Sequence, residues 1–226
     1  MIADELLNPL LPTLKPTDSA GKALDWMDEF RTSQLAVVEG GEYRGLVNEE
    51  NLLETDDTTP IDDVQPQYAT VFAQDNQHLF EVLQLAQAYH LDVVPVLGED
   101  RHFAGSITRS DLLTRFAEQL GAQETGAVLV LTLDERDYSM AEISRLVESN
   151  DAKIVSSYFG STTADETLGA APTGSRLTLK LNRRDVGAVV ATLERFGYTV
   201  EAAFASEPLE TADRERLDAL FRYLDI

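Results

Sequence analysis

Apolar positions Ala20, Ala23, Leu24, Met27 and Phe30 recur at helical spacing, which predicts an amphipathic helix capped by Thr17 or Asp18. The run Ser33-Gln34-Leu35-Ala36-Val37-Val38 reads as a strand, Gly40-Gly41-Glu42 as a hairpin turn and Tyr43-Arg44-Gly45-Leu46-Val47 as the partner strand. Asn48 to Leu53 opens a second helix. Upstream, Ile2 to Asn8 reads as a short helix ended by Pro9, and Leu10 to Leu14 as an extended piece.

The acidic stretch Glu54 to Pro60 is a linker, and after it the same order of elements returns. Tyr68 to Val71 is extended, and Asp75 caps a helix carrying Leu79, Val82, Leu83, Ala86 and Tyr89. Val93 to Leu97 is a strand, Phe103 to Ile107 its partner, and Thr108 starts a helix. Thr13 matches Thr70, Gly45 matches Gly105 and Asn51 matches Asp111. This is an internal duplication, β-α-β-β-α twice, with repeats at 1–60 and 61–121. A unit of that size buries too little core to stand alone, so the two are expected to pack together.

After Leu120-Gly121 the pattern changes. Ala127 to Leu133 is a buried strand, and Ser139 with Glu142 forms a capping box ahead of a helix carrying Ile143, Leu146 and Val147. Ala152 to Phe159, Arg176 to Leu181 and Tyr198 to Phe204 are strands, and Asp185 to Phe196 is a helix stopped by Gly197. Gly160 to Gly174 reads as a polar loop. The order β-α-β-β-α-β over 126–206 is that of the ferredoxin-like split unit. Residues 207–226 form a tail whose Leu217, Leu220, Phe221 and Leu224 share one face of an amphipathic helix. The fold class is therefore α+β or α/β.

Charge narrows the partners. Forty acids against 18 bases give −22, a surface that repels nucleic-acid phosphates and anionic lipid. Only Lys15, Lys22, Lys153 and Lys180 are lysines. Such acidity fits a halophile, where salt screens the self-repulsion, or simply an acidic protein. No cysteine is present, which excludes disulfides, thiolate metal sites and a cysteine nucleophile. The acidic start Met1-Ile2-Ala3-Asp4-Glu5 lacks a signal peptide, and no apolar run approaches the roughly 20 residues needed to span a bilayer. A cytoplasmic location is expected.

The stretch Ala104 to Leu113 carries the candidate chemistry. Thr108 at a helix N-cap and Asp111 three residues on form a capping box, and Gly105 admits a ligand or another backbone. A hydroxyl and a carboxylate one turn apart suit a sugar diol, with helix N–H groups facing a phosphate. The same pattern is also that of an ordinary strand–cap–helix junction.

The residues Val94-Pro95-Val96 and Gly105-x-x-Thr108-x-x-Asp111, with Leu35-Ala36-Val37-Val38 and Gly45-x-x-Asn48-x-x-Asn51 in the first repeat, resemble a tandem pair of CBS domains, a Bateman module. The resemblance covers roughly residues 1–120. It implies a regulatory ligand, AMP, ADP, ATP or S-adenosylmethionine, in clefts between the repeats, and a homodimer. It implies that Thr108 and Asp111 hold a ribose, that Arg109 meets phosphate, and that adenine rests near Thr13, Ser33, Gln34 and Leu35. The twin cleft uses Asn48 and Asn51 with Thr70, Asp92 and Val93. There Asn51 lacks the charge and Asp92, Glu49 and Glu50 repel phosphate, so this cleft is expected to be degenerate or suited to an uncharged ligand.

Residues 126–206 resemble an ACT domain, which implies a dimerising sheet and, in many members, an amino-acid site. The turn Asp134-Glu135-Arg136-Asp137-Tyr138 lacks the glycine common there. The combination resembles the CBS–ACT proteins of acetoin utilisation. His78, His90 and His102 stand singly, without metal-ligand or general-base spacing, and no phosphate-binding or nucleophile-elbow motif occurs. No enzyme, catalytic residue or metal is expected. The chain reads as an adenosine-ligand sensor acting on a separate regulated protein, or as an amino-acid or metabolite sensor working through the ACT-like part.

Overall fold

The structure is a computed structural model that describes residues 1–134, 138–161 and 175–205. The turn at 135–137, most of the polar loop and the tail helix expected at 207–226 lie outside the described residues. The chain divides into two compact units, Met1–Phe116 and Ala117–Ile226.

The first unit is the duplicated one. A 3-10 turn, Ala3–Leu6, leads into α1 (Ala20–Phe30), the hairpin β1 (Gln34–Glu39) and β2 (Glu42–Asn48), and α2 (Glu49–Leu53). A short α3 (Ile61–Val64), not foreseen beyond the acidic linker, then leads into β3 (Ala73–Gln74), α4 (Leu79–Ala88), the hairpin β4 (Val93–Leu97) and β5 (Phe103–Thr108), and α5 (Arg109–Gln119). Leu14 bridges Val37 in parallel as Ala73 pairs with Val96. Ala73 is thus the counterpart of Leu14, and Phe72 rather than Thr70 is the counterpart of Thr13.

Three local expectations are corrected. The cap of α1 is Ser19, whose Oγ accepts from Lys22 N; Asp18 instead accepts from Lys15 N and from Lys22 Nζ. The cap of α4 is His78, not Asp75: its Nδ1 accepts from Phe80 N while Glu81 accepts from His78 N. Asp75 N donates to Leu97 O and its carbonyl accepts from Asp4 N, which continues the strand past β3. The extended segment lies at Ala73–Gln74 and not at Tyr68–Val71, where Tyr68 takes a φ of 59° and Val71 N closes a turn onto its carbonyl.

Each repeat lends its lead segment to the other. Ala3 and Leu6 are buried among Val71, Leu79, Val82, Val93 and Leu112 of the second repeat. Ile61 is buried among Leu14, Met27, Leu35 and Leu52 of the first. Asn8 N donates to Ser106 O on β5, while Gln67 and Leu46 exchange two backbone bonds on β2. The glycines of the two hairpins take these crossings. A Cβ on Gly105 would meet Leu7 Cδ2 at 3.1 Å, and one on Gly45 would meet Gln67 O at 2.6 Å and Pro66 Cβ at 2.9 Å.

The second unit holds β6 (Ala127–Leu133), α6 (Met140–Glu148), β7 (Ile154–Ser161), β8 (Ser175–Leu181), α7 (Gly187–Arg195) and β9 (Thr199–Ala205). The sheet order is β7-β8-β6-β9 with every neighbouring pair antiparallel, the split β-α-β arrangement. Strand β6 alternates cleanly, sending Ala127, Leu129, Leu131 and Leu133 into a core with Ile143, Leu146, Val147, Val189 and Leu193 of the helices. Ser139 caps α6 by accepting from Glu142 N, as expected. Among the described residues no helix is long and apolar enough to cross a membrane.

Two tests follow. Gly45→Ala is expected to destabilise the protein by about 1–3 kcal/mol in urea unfolding, because the added methyl drives into the Gln67 carbonyl. Gly40→Ala, in open space at a φ of 60°, should cost no more than about 1 kcal/mol. Burial alone would raise the Asp18 pKa, but the bonds from Lys15 and Lys22 outweigh it and hold the carboxyl below its ordinary value. That stabilisation is complete above the ordinary carboxylate range and is lost as pH falls through the depressed pKa. Asp18→Asn should therefore lower the melting temperature at neutral pH, with the difference from wild type closing in strong acid.

Candidate functional site

The junction of β5 and α5 is built as its sequence reads. Thr108 Oγ1 accepts from Asp111 N at 3.0 Å, and Asp111 Oδ2 accepts from Thr108 N at 3.2 Å and from Thr108 Oγ1 at 2.6 Å. A third donor comes from the far end of the unit: Asn8 Nδ2 reaches the same Asp111 oxygen at 2.9 Å. Asn8 is itself fixed, with Oδ1 accepting from Leu10 N and its backbone N–H donating to Ser106 O. Three donors thus converge on Oδ2, leaving Oδ1 without a donor among the described residues. The approach permitted by Gly105 is taken by Leu7.

The residues expected to face this junction, Thr13, Ser33, Gln34, Leu35 and Arg109, and those expected at its twin, Thr70, Asp92 and Val93, do not separate by cleft. Ser33, Gln34, Asp92 and Arg109 form a network about the axis relating the repeats. Ser33 Oγ donates to Asp92 Oδ2, Arg109 pairs with Asp92 Oδ1, and Gln34 Oε1 accepts from Asp92 N at 2.8 Å. The backbone repeats the symmetry, with Glu49 N on Ser33 O and Arg109 N on Asp92 O. Leu35 and Val93 are fully buried in the two cores. Thr13 is half-buried beside them in sequence to Leu14, and Thr70 is exposed.

The twin junction at β2 and α2 differs in chemistry. Asn48 caps α2 in position but makes no side-chain capping bond. Its Nδ2 donates to Gln67 Oε1 at 3.3 Å, and its Oδ1 is buried without a partner. Gln67 stands here where Asn8 stands in the other junction. The Asn51 carbonyl accepts from Thr55 Oγ1. With Glu49 and Glu50 opening α2, this junction holds acids and neutral amides where the other offers a positioned carboxylate and Arg109.

Sequence reasoning missed Leu7, Asn8, Ser106 and Gln67. The dipeptide Asn8-Pro9 signals a turn, but nothing local tells that this turn lands on residues a hundred positions away. The histidines stay outside the junctions: His78 caps α4, His90 follows its end, and His102 Nδ1 lies 3.4 Å from Gly41 O on the opposite hairpin tip.

Residues 61–118 match the family model of the CBS domain. Solved structures with similar coordinates include a CBS domain pair/ACT domain protein from Thermotoga maritima, 21% identical over 53% of this chain and 99% of that one, with a TM-score of 0.49. CBSX2, solved in complex with AMP, is 20% identical over 52% of this chain and 96% of its own, with a TM-score of 0.45. A Vibrio cholerae protein assigned provisionally to acetoin utilization, AcuB, is 20% identical over 54% and 95%, with a TM-score of 0.47. Gly105, Thr108 and Asp111 lie inside the segment that matches the CBS domain model.

Proposed function

We propose that the chain is a non-catalytic regulatory sensor that takes an adenine nucleotide, or S-adenosylmethionine, in the cleft at Thr108 and Asp111. The observation that carries this reading is the Asp111 carboxylate, held by three donors on one oxygen and open on the other, inside the segment that matches the CBS domain. A carboxylate fixed in this way accepts from a ribose diol without first being ordered, which spares part of the cost of binding. The positive end of the α5 dipole favours a phosphate, with the N–H groups of Arg109 and Asp111 already held by Asp92 O and Thr108 Oγ1. Arg109 adds positive charge at the same end, although a phosphate has to compete there with Asp92.

Occupancy shifts the arrangement of the repeats only by its difference in affinity between arrangements. The regulated protein, a homodimeric assembly and a cytoplasmic setting belong to the same proposal. The Asn48 junction, with its acids, is the weaker site or takes an uncharged ligand. The two repeats at 1–60 and 61–121 then form the ligand-binding part, and 126–206 the ACT-like part that passes the change on.

A second reading has one observation in its favour. The second unit holds a cavity of about 650 Å³ between the ends of β6 and β9 and the start of α6, lined by Thr132, Asp134, Ser139, Glu142 and Tyr198. Tyr198 Oη donates to Glu142 Oε2 at its wall. That volume and polarity suit an amino acid or another small metabolite.

Isothermal titration of AMP, ADP, ATP, S-adenosylmethionine and a panel of amino acids in molar KCl separates the two. The sensor reading expects about one nucleotide site per chain, with affinity falling by roughly ten- to a hundredfold in Asp111→Ala, the cost of a lost charged hydrogen bond. Circular dichroism has to show that the variant keeps its fold, since the lost cap alone costs about 1 kcal/mol. Amino-acid binding that survives Asp111→Ala would move the function to the second unit.

A further inference from the structure

Among the described residues, two buried side-chain atoms lack a hydrogen-bond partner, Asn48 Oδ1 and Ser106 Oγ. Leaving a hydroxyl or amide oxygen buried and unpaired costs about 1–3 kcal/mol, so native structures keep few of them, and those kept need a reason. Both lie at the two junctions: Asn48 ends β2, and Ser106 stands two residues before the end of β5. Two orphans falling on the two symmetry-related junctions, and nowhere else among the described residues, point to a shared cause.

Ser106 is the sharper case. It is only 4% exposed. Its neighbour Ile107 turns into the core of the second repeat, so strand alternation turns Ser106 to the opposite face, the one Thr108 takes. Its strand partner is Pro95, which has no N–H to offer. Its own carbonyl is used by Asn8 N, and Asn8 also holds Asp111. Ser106 and Asp111 are therefore both held by Asn8 of the same lead segment.

We infer that the Ser106 hydroxyl reads the polar edge of the ligand's base. This rests on the nucleotide reading of the Thr108/Asp111 cleft and adds the residue that selects the base. Two residues along a strand is ~6.6 Å. That is the spacing of Ser106 from Thr108, whose hydroxyl bonds Asp111, and the scale separating a ribose diol from the edge of its base, so a diol held at this junction brings a base toward Ser106. The ring supplies the hydrogen bond the free protein lacks. A serine in place of an aliphatic residue lowers the stability of the empty protein in exchange for discrimination among bases.

The test compares AMP with inosine 5′-monophosphate, which share ribose and phosphate and differ at the base edge. It uses the full chain as wild type, Ser106→Ala, Ser106→Thr and Asp111→Ala. Titration calorimetry gives affinities, and thermal unfolding without ligand gives stability. In Ser106→Ala the ratio of AMP to inosine monophosphate affinity should change by roughly three- to tenfold, the scale of one neutral hydrogen bond. The ligand-free melting temperature should hold or rise. Ser106→Thr, which keeps the hydroxyl, should keep the wild-type ratio, and Asp111→Ala should weaken both nucleotides alike.

An unchanged ratio in Ser106→Ala, with wild-type binding intact, would overturn the role of Ser106 and leave the cleft standing. A lower ligand-free melting temperature with equal losses for both nucleotides would make Ser106 a packing residue and overturn it too. Wild-type protein that binds neither nucleotide would overturn the nucleotide reading itself, and this inference with it.

Discussion

The duplicated unit depends on the reciprocal exchange of its lead segments. Neither repeat closes its own core. Leu6 fills a place beneath β4 and β5 of the second repeat, and Ile61 fills one beside β1 of the first. Burying each such side chain is worth about 1.5–3 kcal/mol, a large share of what a repeat of about 60 residues can assemble. The exchange also fixes where one repeat sits on the other, because each lead is tied at both ends. Met1 O takes Leu79 N, and Asn8 N reaches Ser106 O; on the other side Gln67 and Leu46 bond twice. Gly45 and Gly105 are where the two crossings touch the opposite hairpins, and a side chain at Gly45 has no room.

The same crossings build the two junctions. Each lead ends on a polar residue set against the helix start of the other repeat, Asn8 at Asp111 and Gln67 at Asn48. The repeated element order gives two equivalent places, and the residues at them differ. One has a carboxylate whose geometry is set by three donors. The other pairs two neutral amides and strands an acceptor. In a chain of net charge −22 that difference matters: the Asn48 side adds Glu49 and Glu50, while the Asp111 side adds Arg109.

What the sequence made legible, and what it did not, follows from how local each cause is. The capping box at Thr108, the hairpins about Gly40 and the turn after Leu97, and the Ser139 cap of α6 are set by neighbours within a few positions, and each stands as read. Caps were misplaced where several candidates crowd together. Thr17, Asp18 and Ser19 all offer an oxygen, and the choice of Ser19 follows from Asp18 being used by Lys15 and Lys22. Asp75 lost to His78 because strand pairing with Leu97 extends past β3. The exchange of leads left no trace at all. Leu6 and Ile61 look the same in a sequence whichever core they enter. Ser106 reads as an ordinary polar strand residue until its neighbours are placed and none reaches its hydroxyl.

The network at the centre of the pair joins the two junctions directly. Asp92, opposite Ser33 by symmetry, takes the Ser33 hydroxyl and the Arg109 guanidinium, while its carbonyl takes the first N–H of α5. A group drawn to Arg109 therefore acts on Asp92, and through it on Ser33 and on the Gln34 side chain that holds the Asp92 backbone. Arg109 is well exposed, 64% at its side chain, and such a pair is worth no more than about 1 kcal/mol. The pair can be exchanged for another at little cost. The backbone bonds beneath it, Arg109 N to Asp92 O and Glu49 N to Ser33 O, involve no side chain and survive the exchange. The centre thus combines a fixed backbone frame with a loosely held charge.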